Sequence, residues 1–336
     1  MARRPLLIAH RGASAERPEH TLEAYARAIE LGADYIEPDL VATRDGALIA
    51  RHEAELSTTT DVADRTHFAE RRTTKTIDGR HLTGWFAEDF TLAEIRTLRA
   101  KERLPGFRPA NTRYDGRFAV PTFAEIVALA RSEGARLGRT IGVYPELKHP
   151  TFLARQGIDV TALMLAELRR LDLTASDAPV FVQCFEIGPL ERLAHAVETP
   201  RILLFAAEGG PADRPDLTYA DLADPAELEA IATYATGIGV SLRLLLDEAE
   251  AEAPTPLVAD AHSAGLAIHG WTMRAENAFL PPAYRTSDDL TQVGDYASYW
   301  NALIATGADG FFVDNLAQWN ALWPSTSPPP EGTTSS

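Results

Sequence analysis

What most constrains the fold of this 336-residue chain is an alternation: short apolar runs with β-strand character are followed by longer stretches with helical spacing. The runs are 6–9, 35–40, 47–50, 141–147, 180–184, 202–205, 237–241, 266–271 and 310–313. Most are apolar on both faces, as strands of a sheet covered on both sides must be. Of the intervening helices, 21–31 spaces Leu22, Ala26, Ile29 and Ala33 along one face behind a Thr21 cap. The helix predicted at 122–133 carries Glu125 three residues after Thr122, the capping-box spacing. Further helices are predicted at 159–171, 188–197, 225–235, 254–264 and 296–305.

Repeated strand–helix units imply parallel pairing with right-handed crossovers. The architecture predicted is an α/β barrel of the (β/α)8, or TIM, type. Nine strand candidates are one too many for it, and the Asp45-Gly46 turn marks a hairpin-like irregularity between the second and third. A doubly wound open sheet is the alternative, disfavoured because no Gly-rich phosphate loop follows any strand. Residues 53–118 break the rhythm: they are rich in Thr, Arg and Asp and contain Trp85, Phe86, Phe90 and Phe107. They are read as an insertion over the C-terminal rim that shapes substrate access. Residues 1–322 then form one barrel domain, insertion included, and 323–336, with Pro328-Pro329-Pro330, an unstructured tail.

Composition narrows the partners. A formal charge of −16 argues against nucleic acid or anionic membrane surfaces, which require a broad basic patch. A small anionic substrate must therefore find its cations inside the site. Cys184 is the single cysteine, so no intramolecular disulfide forms. Arg3 and Arg4 precede a run of only five residues, too short for a signal peptide, and no segment reaches the roughly 18–20 apolar residues of a membrane span. A cytoplasmic protein without membrane insertion is expected.

In such a barrel the functional groups stand at the C-terminal ends of strands. His10 and Arg11 close the first apolar run, Glu37 and Asp39 the second, His52 the third, Glu146 and Lys148 the fourth, Gln183 the fifth, and Trp271 the run from 266. Residues two apart point to the same face of a strand, so Glu37 pairs with Asp39 and Glu146 with Lys148. Three carboxylates without a thiolate favour a hard cation, Ca2+ or Mg2+, over zinc. Structural ion pairs are the competing reading for Glu37 and Asp39 alone; Glu146 tips the balance to a metal. Two histidines suit one base and one acid near neutral pH. His67, His81, His149, His195, His262 and His269 are read as ordinary core or surface groups. Arg11 is shaped to grip phosphate, and Lys148 is one of only three lysines among 32 basic residues. Gln183 and Trp271 are read as substrate contacts, Trp271 walling the glycerol side, although each also fits simple packing.

The runs Ile8-Ala9-His10-Arg11-Gly12-Ala13-Ser14, Pro18-Glu19-His20-Thr21, Glu37-Pro38-Asp39, Asp45-Gly46 and His52 resemble the glycerophosphodiester phosphodiesterases in order and spacing. The likeness continues through Tyr144-Pro145-Glu146-Leu147-Lys148, Gln183-Cys184-Phe185, Trp271-Thr272 and Gly307-Ala308-Asp309-Gly310. Thr60-Asp61-Val62-Ala63 and the stretch 89–95 are similar to a long bacterial subset that includes periplasmic enzymes. His20 stands where many members have Asn, and Asp314-Asn315-Leu316 replaces a common Asp-x-Pro. The resemblance implies a barrel with a calcium or magnesium site that hydrolyses glycerophosphodiesters to glycerol 3-phosphate and an alcohol. Rival readings are a lipid-directed phosphodiesterase resembling the sphingomyelinase D toxins and a non-catalytic binding protein on the same fold.

Overall fold

The structure is a computed structural model that describes residues 4–247 and 253–323. The tail expected at 323–336 lies outside the described residues except for Trp323.

Eight parallel strands form the sheet: β1 (Leu6–His10), β2 (Tyr35–Glu37 and Asp39–Ala42), β3 (Gly142–Val143 and Glu146–Leu147), β4 (Val182–Cys184), β5 (Arg201–Phe205), β6 (Gly237–Ser241), β7 (Ala267–Met273) and β8 (Gly310–Val313). Strands β2 and β3 are each split at a proline, Pro38 and Pro145, which cannot donate to a ladder. The pairing runs through both breaks, because Glu146 N donates to Pro38 O at 2.9 Å and Gln183 N to Pro145 O at 2.9 Å. Proline thus interrupts the strands without opening the sheet. β1 pairs with β2 on one side (His10 with Glu37) and with β8 on the other (Ala9 with Val313), so the ring closes into a barrel.

The ninth apolar run resolves as Leu48–Ala50, which folds back antiparallel on the second half of β2, pairing Leu40 with Ala50 and Ala42 with Leu48. The reversal occurs at the anticipated Asp45-Gly46 turn, where Gly46 takes φ +81°. The strand is therefore a hairpin arm outside the ring.

Helices follow the strands and wrap the barrel. Leu22–Glu30 is capped by Thr21, whose hydroxyl accepts from Ala24 N at 3.1 Å. Phe123–Leu137 carries the full Thr122–Glu125 capping box and stops at Gly138 in the left-handed conformation. The helix predicted at 254–264 starts later, at Leu257, because Ala253–Pro254 pairs with Leu246–Asp247 instead. Inside the barrel Ile8, Tyr144, Ile202 and Phe312 pack with Tyr35, Phe181 and Trp271, while a larger core fills the space between strands and helices.

Residues 53–118 hold short 3-10 turns, a hairpin of Thr73–Ile77 and Arg80–Gly84, and the helix Leu92–Ile95. The segment buries Leu56, Val62, Phe68, Phe86, Phe90 and Ile95 in the same core as the barrel's own side chains. Its aromatics had no periodicity to betray them because they pack from turns rather than from regular elements. Among the described residues no helix is long and apolar enough to cross a membrane.

Candidate functional site

At the C-terminal ends of the strands lies a cavity of about 320 Å³. All nine residues singled out from the sequence line it: His10, Arg11, Glu37, Asp39, His52, Glu146, Lys148, Gln183 and Trp271. None of the six histidines set aside does so. His269, for example, is buried inside the barrel, with its Nδ1 2.8 Å from the Tyr144 hydroxyl. Against expectation, none of residues 53–118 lines this cavity either; Asp78 alone reaches a smaller neighbouring one. The segment meets the cavity's residues from outside its wall, Glu53 at His52 and Phe107 against Phe279.

Glu37, Asp39 and Glu146 each offer a carboxylate oxygen within 4.8 Å of the others, and all three are buried. Burial and the neighbouring Asp39 charge push Glu37 well above the usual carboxylate range, and the same two causes bring Glu146 up to about 8. Burial works on Asp39 too, but Lys148, His52 and Arg11 outweigh it and hold that carboxyl well below its ordinary value. Burial and mutual repulsion thus oppose ionisation of all three together. A site that suppresses its own carboxylate charge, using oxygen donors only, fits a bound divalent ion.

Supports hold each carboxylate in place. Glu37 accepts from Arg11 N at 2.8 Å and from Gln183 Nε2 at 3.1 Å. Asp39 lies 2.9 Å from His20 Nε2, and Lys148 Nζ donates to Glu146 at 2.7 Å. Lys148 also stands 3.4 Å from Asp39, and Arg11 Nε stands 3.2 Å from it. Burial disfavours the charges of Arg11 and Lys148, but the surrounding carboxylates outweigh it and keep both cationic. The turn that delivers Arg11 is tight. Arg11 itself takes φ +60°, and Gly12, at φ +89°, sits so close to Ala24 that a Cβ would meet its backbone carbon at 2.7 Å. No other residue fits there.

The two imidazoles are set up alike. His10 Nδ1 is 2.6 Å from Asp314 Oδ1, and His52 Nδ1 is 2.5 Å from Glu53 Oε1. Both carboxyls are held well below their ordinary values, Asp314 by Arg274 and Arg108 acting against its burial, and Glu53 by His52 and Arg103. An ionised carboxylate only accepts, so each ring carries its hydrogen on Nδ1 and leaves Nε2 as an acceptor. Burial, reinforced by Arg11, lowers His10 to about 4 and His52 to about 3. Both are neutral at pH 7.

Sequence reasoning missed these partners. Glu53 directly follows His52, and Asp314 belongs to a motif in which the lost proline drew attention from the retained aspartate. Trp271 lines the apolar wall with Phe185, Leu204, Leu242 and Phe279. Its Nε1 donates to Gly239 O at 3.1 Å, so the ring's polar edge is tied down and its face is left for contact.

An α/β barrel whose C-terminal rim gathers three buried carboxylates, two fixed cations and two carboxylate-backed imidazoles defines a class of phosphate-ester hydrolases. Residues 10–318 match the profile of the glycerophosphoryl diester phosphodiesterase family. A glycerophosphodiester phosphodiesterase of Arabidopsis thaliana is 36% identical over 325 residues, covering 93% of this chain and 84% of that protein. One of Haemophilus influenzae is 27% identical over 338 residues, covering 92% and 87%. The chain belongs to this family. Its fold is similar to that of an Oleispira antarctica phosphodiesterase solved with the product sn-glycerol-3-phosphate (TM-score 0.61, 20% identity, 96% of this chain and 97% of that one). It is similar also to a glycerophosphodiester phosphodiesterase of Agrobacterium tumefaciens (TM-score 0.56, 21% identity, 95% and 100%).

Proposed function

We propose that this protein hydrolyses glycerophosphodiesters to glycerol 3-phosphate and an alcohol such as choline, ethanolamine or glycerol. The observation that carries this reading is the convergence on one cavity of a carboxylate triad and two imidazoles, each fixed by its own carboxylate. Family membership and the product held by the Oleispira relative support the substrate class.

Glu37, Asp39 and Glu146 would hold a hard divalent cation suited to an all-oxygen set, Ca2+ as the first choice and Mg2+ as the alternative. Bound there, it supplies charge neutralisation at a phosphate oxygen. Arg11 and Lys148 flank the triad and offset the negative charge that moves onto the phosphoryl oxygens in the transition state. Gln183 lines the cavity as a substrate contact and fixes Glu37 through its Nε2. Trp271 walls the glycerol side. His10 and His52 present Nε2 to the substrate: one, neutral, takes the proton of the attacking hydroxyl or water, and the other, its basicity raised by the arriving phosphate anion, first takes a proton from solvent on Nε2 and then gives it to the departing alcohol. A cytoplasmic setting belongs to this reading, and the single Cys184 is compatible with it.

The test is release of glycerol 3-phosphate from glycerophosphocholine by the purified protein. Activity is expected to vanish in EDTA, to return with Ca2+ and less fully with Mg2+, and to fall by about 10²–10⁴-fold in His10→Ala. Hydrolysis that survives His10→Ala unchanged would falsify the acid–base assignment. Choline release from sphingomyelin at a matching rate would favour the lipid-directed reading.

A further inference from the structure

The segment 53–118 reaches the site by an indirect route. Glu53, the partner of His52, is gripped by Arg103, whose Nη1 donates to Glu53 Oε1 at 2.9 Å while Nη2 engages Oε2. Asp314, the partner of His10, receives Arg108 Nη2 on Oδ2 at 2.7 Å. Two arginines five residues apart on one loop thus back both carboxylate–imidazole pairs. Neither lines the cavity, so neither is placed to touch substrate.

The loop is braced for this. Glu102 binds Leu104 N at 2.8 Å and Asn111 Nδ2 at 3.0 Å, and Asp115 receives Glu102 N at 2.7 Å. Arg108 spends its other donors on Glu276 (2.8 Å) and on the carbonyl of Ser14 (3.2 Å), in the turn that follows β1. Arg103 Nε is 2.8 Å from Glu19, whose other oxygen pairs with Arg11 at 3.1 Å. One loop therefore touches the supports of His52, His10 and Arg11 together. The planar fork of arginine suits this, since it can meet two partners in fixed directions where an ammonium cannot.

We infer that Arg103 and Arg108 are positioning residues for catalysis, holding the imidazoles of His52 and His10 respectively through Glu53 and Asp314. The inference rests on the acid–base roles proposed above. It gives the insertion the task of aligning the reacting groups.

The experiment combines kinetics with proton NMR of the low-field ring Nδ1–H signals in the full chain, assigned with His10→Gln and His52→Gln. Arg103→Ala is expected to move or broaden the His52 signal alone, and Arg108→Ala the His10 signal alone. Each is expected to lower kcat on glycerophosphocholine by about 10–100-fold, the scale of a small misplacement of a reacting group, with KM little changed. Arg103→Lys and Arg108→Lys keep the charge without the fork and are expected to recover only part of the loss. If Arg108→Ala does not fold, Arg108→Lys carries that arm. Ring signals that stay in place in a folded variant overturn the inference whatever happens to kcat, as does an unchanged kcat when they move. Selective signal shifts in a protein whose wild type hydrolyses no glycerophosphodiester would instead sink the proposed substrate and leave the geometry standing.

Discussion

Behind Asp39 stands His20, fully buried, with Nε2 on that carboxylate at 2.9 Å and Nδ1 2.8 Å from the Tyr25 hydroxyl. A hydrogen-bonded residue behind a metal-binding carboxylate fixes the oxygen's direction and its basicity. His20 also takes φ +56°, a conformation that Asn tolerates better than most residues. His20→Ala is expected to weaken Ca2+ binding by about 10–100-fold. His20→Asn, whose amide can donate to Asp39, is expected to recover most of it. Calorimetric titration giving equal affinities for wild type and His20→Ala would remove His20 from the metal site. At this scale the sequence is legible where a polar side chain ends an apolar run: His10, Glu37, Asp39, Glu146, Lys148 and Gln183 all announce themselves that way. Asp314 ends the run 310–313 in the same way but shows nothing of its partner, and Arg103 and Arg108 end no run. Their partners lie far along the chain, 304 residues in the case of His10 and Asp314, and no local spacing records such a pairing.

Among the elements, the barrel strands and most helices were readable because burial on both faces and amphipathic periodicity leave their mark on composition. The hairpin arm Leu48–Ala50 was visible as a strand but not as a strand outside the ring, since an apolar run of that length does not say with what it pairs. The insertion was unreadable for a related reason, its burial being produced by turns and side-chain pairs without a period. Helix Phe123–Leu137 resumes the barrel directly after it, and its start depends on Thr122, which accepts from Glu125 N at 3.3 Å while Glu125 returns a bond to Thr122 N at 2.8 Å. Thr122→Ala is expected to destabilise the protein by about 1 kcal/mol, the ordinary worth of an N-cap. Urea unfolding of the purified variant measures this; a midpoint equal to the wild type's would show that tertiary packing alone sets the helix start.

For the molecule as a whole, buried histidines tie stability to pH. His269 lies inside the barrel, away from the carboxylate triad, and burial lowers it from its ordinary 6.5 to about 4. The unfolded chain therefore takes up this proton first as the pH falls. The folded state loses stability between about pH 6.5 and pH 4, on the order of 3 kcal/mol for this one group, and loses nothing above that window. His10 and His52, depressed in the same sense, add to the loss in metal-free protein. Because the raised Glu37 and Glu146 work in the opposite sense, the test is a difference: between pH 7.0 and 4.5 the wild type is expected to lose more urea stability, or gain less, than His269→Gln. Equal pH dependences in the two proteins would contradict the neutral, buried state of His269.

The pairing of β1 with β8 carries a consequence for biosynthesis. His10 leaves the ribosome some three hundred residues before Asp314, and they meet only when β8 docks against β1. Arg108, made a third of the way along, waits for Asp314 as well. The nascent chain thus displays its carboxylate triad and His52–Glu53 pair well before it can orient His10, and an emerging polypeptide stalled short of β8 is chemically unfinished. On the acid–base roles proposed for His10 and His52, the centre is complete only at ring closure, and a fragment released before β8 lacks the Asp314 that orients His10.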